Sequence, residues 1–265
     1  MLGRPVAHSL SPLLHAAAYA ELGLDWSYTA IDCGTGELAA VIAARPDWAG
    51  FSCTMPLKRA VLEVADEVRP VARTVGAGNT LLPRPGGGWI ADNTDVAGFL
   101  TSLAERVIAP STATVLGAGG SAQAAVAALA VAGVRECTVL VRDASRAGQL
   151  RTTAATLGLR LEVRELAADA AGLSAELLVS TLPRGAADPL ADRPWGSEQA
   201  VFDVVYDPWP TRLSAAVAAA GGQVLSGGLL LLHQAAAQVE LMTGQDAPVA
   251  AMRAALLAAA PDCGV

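Results

Sequence analysis

The run Ala113-Thr114-Val115-Leu116-Gly117-Ala118-Gly119-Gly120-Ser121-Ala122 decides the fold class. A short, β-branched apolar segment reaches a cluster of glycines, and an alanine-rich stretch follows to Ala132, closed by Gly133. That pattern is a strand, a tight turn and a helix, and the turn fits G-x-G-x-x-A. The first glycine permits the turn, the second lets backbone N–H groups approach a pyrophosphate, and the small third position lets helix and strand pack closely. The helix start adds the positive end of its dipole. Gly117, Ala118, Gly119, Gly120, Ser121 and Ala122 are therefore candidate dinucleotide contacts.

Downstream the alternation continues. Strands are expected over 137–141, 160–163, 177–181, 201–206 and 223–225, with a helix over 145–157 closed by Gly158. Near-continuous apolar strands separated by helices imply a parallel sheet covered on both faces. The second strand ends in Val141-Arg142-Asp143-Ala144-Ser145-Arg146. Arg142 and Arg146 argue for the 2′-phosphate of NADP, whereas Asp143 suits the free ribose hydroxyls of NAD. NADP is the expected cofactor, with NAD as the alternative.

The first hundred residues alternate as well. Ser11 is expected as N-cap and Pro12 as the first residue of a helix reaching Leu22. Strands follow over 26–31 and 48–54, with a helix over 37–44 between them and another starting at Pro56. A hairpin pairs 80–82 with 89–91. A helix over 94–107 carries the chain onward, and helices over 229–242 and 247–259 close it.

Composition bounds the function. The chain has 265 residues, and at roughly 150 residues per domain two modest domains are expected. Hydrophobic residues make up 53% and charged residues 16%, which excludes disorder. With 18 Lys and Arg against 25 Asp and Glu the net charge is −7, and no basic stretch stands out. Nucleic-acid and anionic-membrane partners are therefore not expected. Two long uncharged stretches, 108–134 and 213–239, are broken by Pro110 and by glycines, so a membrane span is not expected. No apolar segment of signal-peptide type follows Met1. Cys33, Cys53, Cys137 and Cys263 form no C-x-x-C pair and have no histidine at metal-ligand spacing. They read as free thiols in a reducing cytoplasm, with no metal site.

Three segments are polar beyond their surroundings. Ser9 and Ser11 lie just before a helix start, where both hydroxyls can face a carboxylate; capping explains only one of them. Ser52-Cys53-Thr54-Met55-Pro56-Leu57-Lys58 places a threonine at a strand end and a lysine on the first turn of a helix, where the dipole disfavours it. Asn79 ends a glycine turn, and Asp92 and Asp95 bracket a helix start where capping would account for either. A lysine and an aspartate converging on one hydroxyl would form a proton-transfer pair.

Taken together these segments resemble shikimate dehydrogenases. Gly3-Arg4-Pro5-Val6-Ala7-His8-Ser9-Leu10-Ser11-Pro12 looks like the opening motif of that family, and Thr54-Met55-Pro56-Leu57-Lys58 like its T-x-P-x-K element. Gly78-Asn79-Thr80, Asp92-Asn93-Thr94-Asp95, Asp203-Val204-Val205-Tyr206-Asp207-Pro208 and the run from Gly228-Leu229 to Gln234-Ala235 follow in family order. The resemblance implies reversible, NADP-dependent reduction of the C3 ketone of 3-dehydroshikimate to shikimate. It implies Lys58 as proton donor and acceptor and Asp95 as its partner. It implies Ser9 and Ser11 on the substrate carboxylate, and Thr54, Asn79, Gln234 and Tyr206 around the ring hydroxyls or Lys58. Thr181 and Gly228 would border the cofactor. Asp143, and Thr181-Leu182-Pro183 in place of an asparagine-containing loop, depart from the family pattern. Alternatives are an NAD-linked quinate or aminoshikimate dehydrogenase, and a non-catalytic NADP or shikimate sensor. The expected architecture is two α/β domains with a cleft between them, acting as a monomer or homodimer. Residues 1–100 and 229–265 would form the substrate domain, and 101–228 the Rossmann domain.

Overall fold

The structure, a computed structural model, describes residues 1–167 and 172–265. Met1–Gly98 with Leu231–Ala259 forms one compact unit, and Phe99–Leu230 with Ala260–Val265 forms a second.

In chain order the first unit contains β1 (Leu2–Gly3), α1 (Ser11–Glu21), β2 (Ile31–Asp32), α2 (Leu38–Ala43), β3 (Phe51–Ser52), α3 (Ala60–Val64), β4 (Glu67–Val68), α4 (Pro70–Val75), β5 (Thr80–Pro83) and β6 (Trp89–Asp92). Helix α5 (Asp95–Glu105) begins in this unit. The hairpin forms as expected, with Thr80 opposite Asp92 and Pro83 opposite Trp89. β3 runs antiparallel to β5 and β4 parallel to β6, giving the order β3-β5-β6-β4. β1 and β2 pair in parallel, and a bridge from Leu2 to Cys53 ties them to the end of β3. Leu2, Leu38, Phe51, Leu57, Val61 and Leu81 are buried together beneath these strands. Each such side chain contributes roughly 1.5–3 kcal/mol by leaving water.

Several local expectations are corrected. Ser11 is not the N-cap: Leu10 occupies that place, Ser11 is the first helical residue, and Pro12 follows inside the first turn, where its missing N–H costs nothing. Only Ile31 of the expected 26–31 segment joins a ladder, together with the next residue, Asp32. Trp26 and Tyr28 turn their rings onto α1 instead, Trp26 edge-on to Tyr19 and Tyr28 stacked on His15. The 48–54 strand shrinks to Phe51–Ser52, and the helix expected from Pro56 begins at Ala60 after a turn. β4 and α4 were not expected.

The second unit continues with β7 (Thr112–Leu116), α6 (Gly120–Val131), β8 (Glu136–Val141), α7 (Gly148–Thr156), β9 (Arg160–Glu165), β10 (Leu177–Ser180), β11 (Ala200–Asp203), α8 (Arg212–Ala219) and β12 (Gln223–Ser226). All neighbours are parallel, in the order β12-β11-β10-β7-β8-β9. The sheet grows one way from β7 through β8 to β9 and the other way from β10, so the switch point lies between β7 and β10. That is the arrangement of dinucleotide-binding sheets, which hold ligands at this crevice. α6 is buried on nearly every side, so its alanines are what allow close approach to the sheet. β11 stops at Asp203 rather than Tyr206 because the Asp203 carboxylate captures the next loop, accepting from the Val205 N–H at 3.2 Å and the Thr211 hydroxyl at 2.9 Å. Helices α9 (Gly227–Thr243) and α10 (Val249–Ala259) return the chain to the first unit, where α10 packs on α1. Among the described residues no helix is long and apolar enough to cross a membrane. The four cysteines are free and buried.

His15 makes the first unit acid-sensitive. It is buried with Tyr28 stacked on it at 4.0 Å and the Tyr19 hydroxyl 3.3 Å from Nδ1. Burial pushes its pKa down from 6.5 to about 3. Between those values the unfolded chain binds a proton that the folded chain does not. Stability is therefore complete above pH 6.5 and falls with decreasing pH towards 3, by up to about 1.4 kcal/mol per pH unit. Urea unfolding across this window is expected to show that slope in the wild type and a flatter one in His15→Phe. Equal slopes would assign the acid sensitivity elsewhere.

Candidate active site

The Asp92-Asn93-Thr94-Asp95 motif links β6 to α5, and each side chain takes a different task. Asn93 caps the helix: its Oδ1 accepts from the N–H groups of Asp95 at 3.0 Å and Val96 at 3.3 Å, while its Nδ2 donates to the Ala77 carbonyl at 2.8 Å. Asp92, one of the two expected caps, instead accepts from its neighbour's N–H and pairs with Arg69 at 2.8 Å. Asp95 is thereby spared capping and sits in the first turn of α5, where the helix dipole favours a carboxylate.

Lys58 reaches this carboxylate from the other side. It lies in the turn over 55–59 that precedes α3, not in the first turn of a helix as expected. The Lys58 carbonyl accepts from the Gly78 N–H at 2.7 Å, which joins this turn to the Gly78–Asn79 turn. Its Nζ donates to Asp95 Oδ2 at 2.5 Å, with the two side chains only 17% and 8% exposed. Asn79 holds the other carboxylate oxygen, its Nδ2 donating to Asp95 Oδ1 at 2.9 Å. The same amide group lies 2.9 Å from the Thr94 hydroxyl and 3.4 Å from Gln234 Oε1. Lys58, Asp95, Asn79 and Gln234 thus form one hydrogen-bonded group. Thr54 adjoins it through the chain: its N–H donates to the Leu2 carbonyl, and its carbonyl accepts from the Leu57 N–H. Ser9 and Ser11 also meet, Ser9 Oγ accepting from the Ser11 N–H at 3.2 Å at the start of α1, a helix with no acidic residue in its first turn.

The second unit carries the remaining candidates. Gly117 has φ +108°, and a Cβ there would lie 2.6 Å from Thr181 Oγ1, so glycine is required on both counts. Thr181 closes the turn by donating its hydroxyl to the Leu116 carbonyl at 2.7 Å. Gly119 is the N-cap of α6, with no side-chain cap and open space where its Cβ would be. Backbone amides at a helix start with room in front of them fit a dinucleotide pyrophosphate. Ala122 is fully buried against the sheet. Beyond β8, Arg142 and Arg146 are exposed, as is Asp143. Asp143 accepts from the Ser145 N–H at 2.9 Å and hydroxyl at 2.6 Å, hydrogen bonds that hold its pKa below the usual carboxylate value. Tyr206 lies in the loop between β11 and α8, and Gly228 in the first turn of α9.

The sequence reading missed Gln238, Thr80 and Thr94. Gln234 and Gln238 stand four apart in a largely apolar helix, which puts both on one face; that was the available signal. Asn93→Ala is expected to cost about 1 kcal/mol, the usual worth of an N-cap, in urea unfolding. An unchanged midpoint would show that Asn93 does not cap α5.

A Rossmann-type sheet with a glycine turn at its switch point, in one chain with an α/β unit that buries a lysine–aspartate pair, defines a dinucleotide-dependent oxidoreductase. Residues 1–81 match the shikimate dehydrogenase substrate binding domain, and residues 230–257 the shikimate 5'-dehydrogenase C-terminal domain. A Moorella thermoacetica protein named shikimate dehydrogenase (NADP(+)) is 39% identical over 267 residues, covering 95% of this chain and 90% of its own length. The crystal structure of Mycobacterium tuberculosis shikimate dehydrogenase is 46% identical and superposes with a TM-score of 0.88 over 97% of each chain. That of the Thermus thermophilus enzyme in complex with NADP(H) and shikimate is 36% identical, with a TM-score of 0.82 over 97% of each chain. The chain belongs to the shikimate dehydrogenase family.

Proposed function

We propose that this chain reversibly reduces 3-dehydroshikimate to shikimate with NADP(H), in the biosynthetic route to chorismate and the aromatic amino acids. The observation that carries the proposal is the 2.5 Å contact between Lys58 Nζ and Asp95 Oδ2 in a nearly solvent-free setting, with Asn79 on the other oxygen. In the reducing direction Lys58 gives a proton to the oxygen of the C3 ketone, and in the oxidising direction it takes the proton back. Asp95 holds the ammonium in place and accepts from the substrate hydroxyl. Ser9, Ser11 and the amides of the first turn of α1 bind the substrate carboxylate, as helix starts bind anions. Thr54, Asn79, Gln234 and Tyr206 orient the ring hydroxyls.

Bound NADP supplies or accepts the hydride. The residues that would hold it are Gly117 to Ala122 for the pyrophosphate, Arg142 and Arg146 for the 2′-phosphate, and Thr181 and Gly228 for the nicotinamide end. Asp143 carries a negative charge that works against the 2′-phosphate and for NAD, but it also has a structural task in this fold. Its carboxylate is occupied in capping the turn Ala144–Ala147, so it braces the loop that carries both arginines. The first unit is then the substrate domain and the second the cofactor domain, and the free thiols suit a reducing cytoplasm.

Lys58→Ala is expected to lower turnover by roughly two to four orders of magnitude, the scale of acid–base catalysis, with substrate affinity changed far less. Near-wild-type turnover would refute the assignment. Asp143→Ser, which keeps a capping side chain, is expected to raise kcat/KM with NADP relative to NAD. An unchanged ratio would show that Asp143 does not face the ribose. Rates with shikimate and quinate, each with NADP and NAD, separate this reading from a quinate dehydrogenase, which would prefer quinate with NAD.

A further inference from the structure

We infer that Gln238, acting through Thr80 and the Asn79 backbone, is a positioning residue that, together with the Thr94 N–H, holds the side of the Asn79 amide that meets Asp95. The inference rests on the role proposed above for Lys58 and Asp95. Gln238 is 1% exposed on α9. Its Nε2 donates to the Asn79 main-chain carbonyl at 3.1 Å and to Thr80 Oγ1 at 3.0 Å, and its Oε1 accepts from Ser52 Oγ at 2.7 Å. A carbonyl only accepts, so the Asn79 carbonyl fixes which end of the Gln238 amide carries the protons. Thr80 receives one of those protons, and its own hydroxyl proton goes to Asn79 Oδ1 at 2.8 Å. The Thr94 N–H donates to the same oxygen at 2.8 Å. With two donors on Oδ1, Nδ2 is turned towards Asp95 Oδ1, and Asp95 Oδ2 is the oxygen facing Lys58.

The chain extends behind Gln238, where the Tyr28 hydroxyl donates to Ser52 Oγ at 2.6 Å. Burial raises the Tyr28 pKa, so its proton stays in place. The donated protons therefore run in one direction through Tyr28, Ser52, Gln238, Thr80 and Asn79 to Asp95. Aligned bonds of this kind polarise and stiffen one another. An apolar side chain would serve the packing of α9 as well, whereas a buried amide is costly unless its bonds are made. Here its bonds lead to Asn79, directly or through Thr80, and back to Tyr28 through Ser52; His15, on which Tyr28 stacks, also faces it.

Thr80→Val and Gln238→Met remove the relay at nearly constant volume, and Thr80→Ser keeps the hydroxyl. In folded variants, verified by thermal melting, Thr80→Val and Gln238→Met are expected to lower kcat for shikimate oxidation by between about ten- and a hundred-fold, with a smaller change in KM. Thr80→Ser is expected to restore the rate. In a Lys58→Ala background Gln238→Met is expected to add little, because residues acting as a unit are not additive. NMR of the Asn79 side-chain amide gives a readout that needs no substrate: its resonances are expected to move in Thr80→Val and Gln238→Met and to stay in Thr80→Ser. Unmoved Asn79 resonances in either folded variant would overturn the inference, and one variant suffices if the other does not fold. A wild type unable to oxidise shikimate would overturn the substrate assignment instead, and the amide resonances would still decide this one.

Discussion

The ion pair between Lys58 and Asp95 is the constraint around which the first unit is built. Two charges this little exposed are costly to remove from water, and their attraction offsets the cost only when the remaining lone pairs and protons are satisfied. The satisfying groups come from widely separated segments. The turn after Met55 presents Lys58, the glycine turn presents Asn79, the cap by Asn93 starts α5 at Asp95, and α9 brings Gln234 and Gln238 from the far end of the chain. The short strands of this unit hold those turns in register: the Cys53 N–H bonds to the Asn79 carbonyl, and the Asn79 N–H to that of Asp92.

The second unit solves a different problem. It must present backbone donors to an anion within a chain of net charge −7. It does so with backbone rather than with excess basic residues. Gly117 turns the chain at the sheet's switch point, Thr181 closes over it, and α6 starts at Gly119 without a side chain to cap it. Local donors at a helix start bind an anion whatever the sign of the total charge. The uncharged, alanine-rich stretch behind the mean hydropathy of +0.42 is in part this helix, packed close on the sheet.

The second unit was the more legible in sequence because its signals are local. Apolar runs of four to six residues and a glycine turn need only their own neighbours to be recognised. The first unit depends on two-residue strands, whose pairing is decided by partners tens of positions away, and on aromatic rings: Trp26 and Tyr28 look like a strand but pack on α1. Lys58 and Asp95 were legible as residue types that suit proton transfer. Their meeting was not, because 37 positions separate them and the turn that joins them is closed by a backbone bond to Gly78. Asp92 and Asp95 were the caps expected at the start of α5, but it is Asn93 that is placed to reach the N–H groups of Asp95 and Val96. Gln238 left a faint trace, an amide four residues from another on a largely apolar helix, with nothing local to say what it holds.

The most direct test of the account is a crystal structure of the protein with shikimate alone. The expected result places the hydroxyl that becomes the ketone within about 3 Å of both Lys58 Nζ and the Asp95 carboxylate, the reach that proton transfer requires, with the substrate carboxylate on Ser9 and Ser11. A ring bound elsewhere, or turned so that this hydroxyl faces away from Lys58, would contradict it.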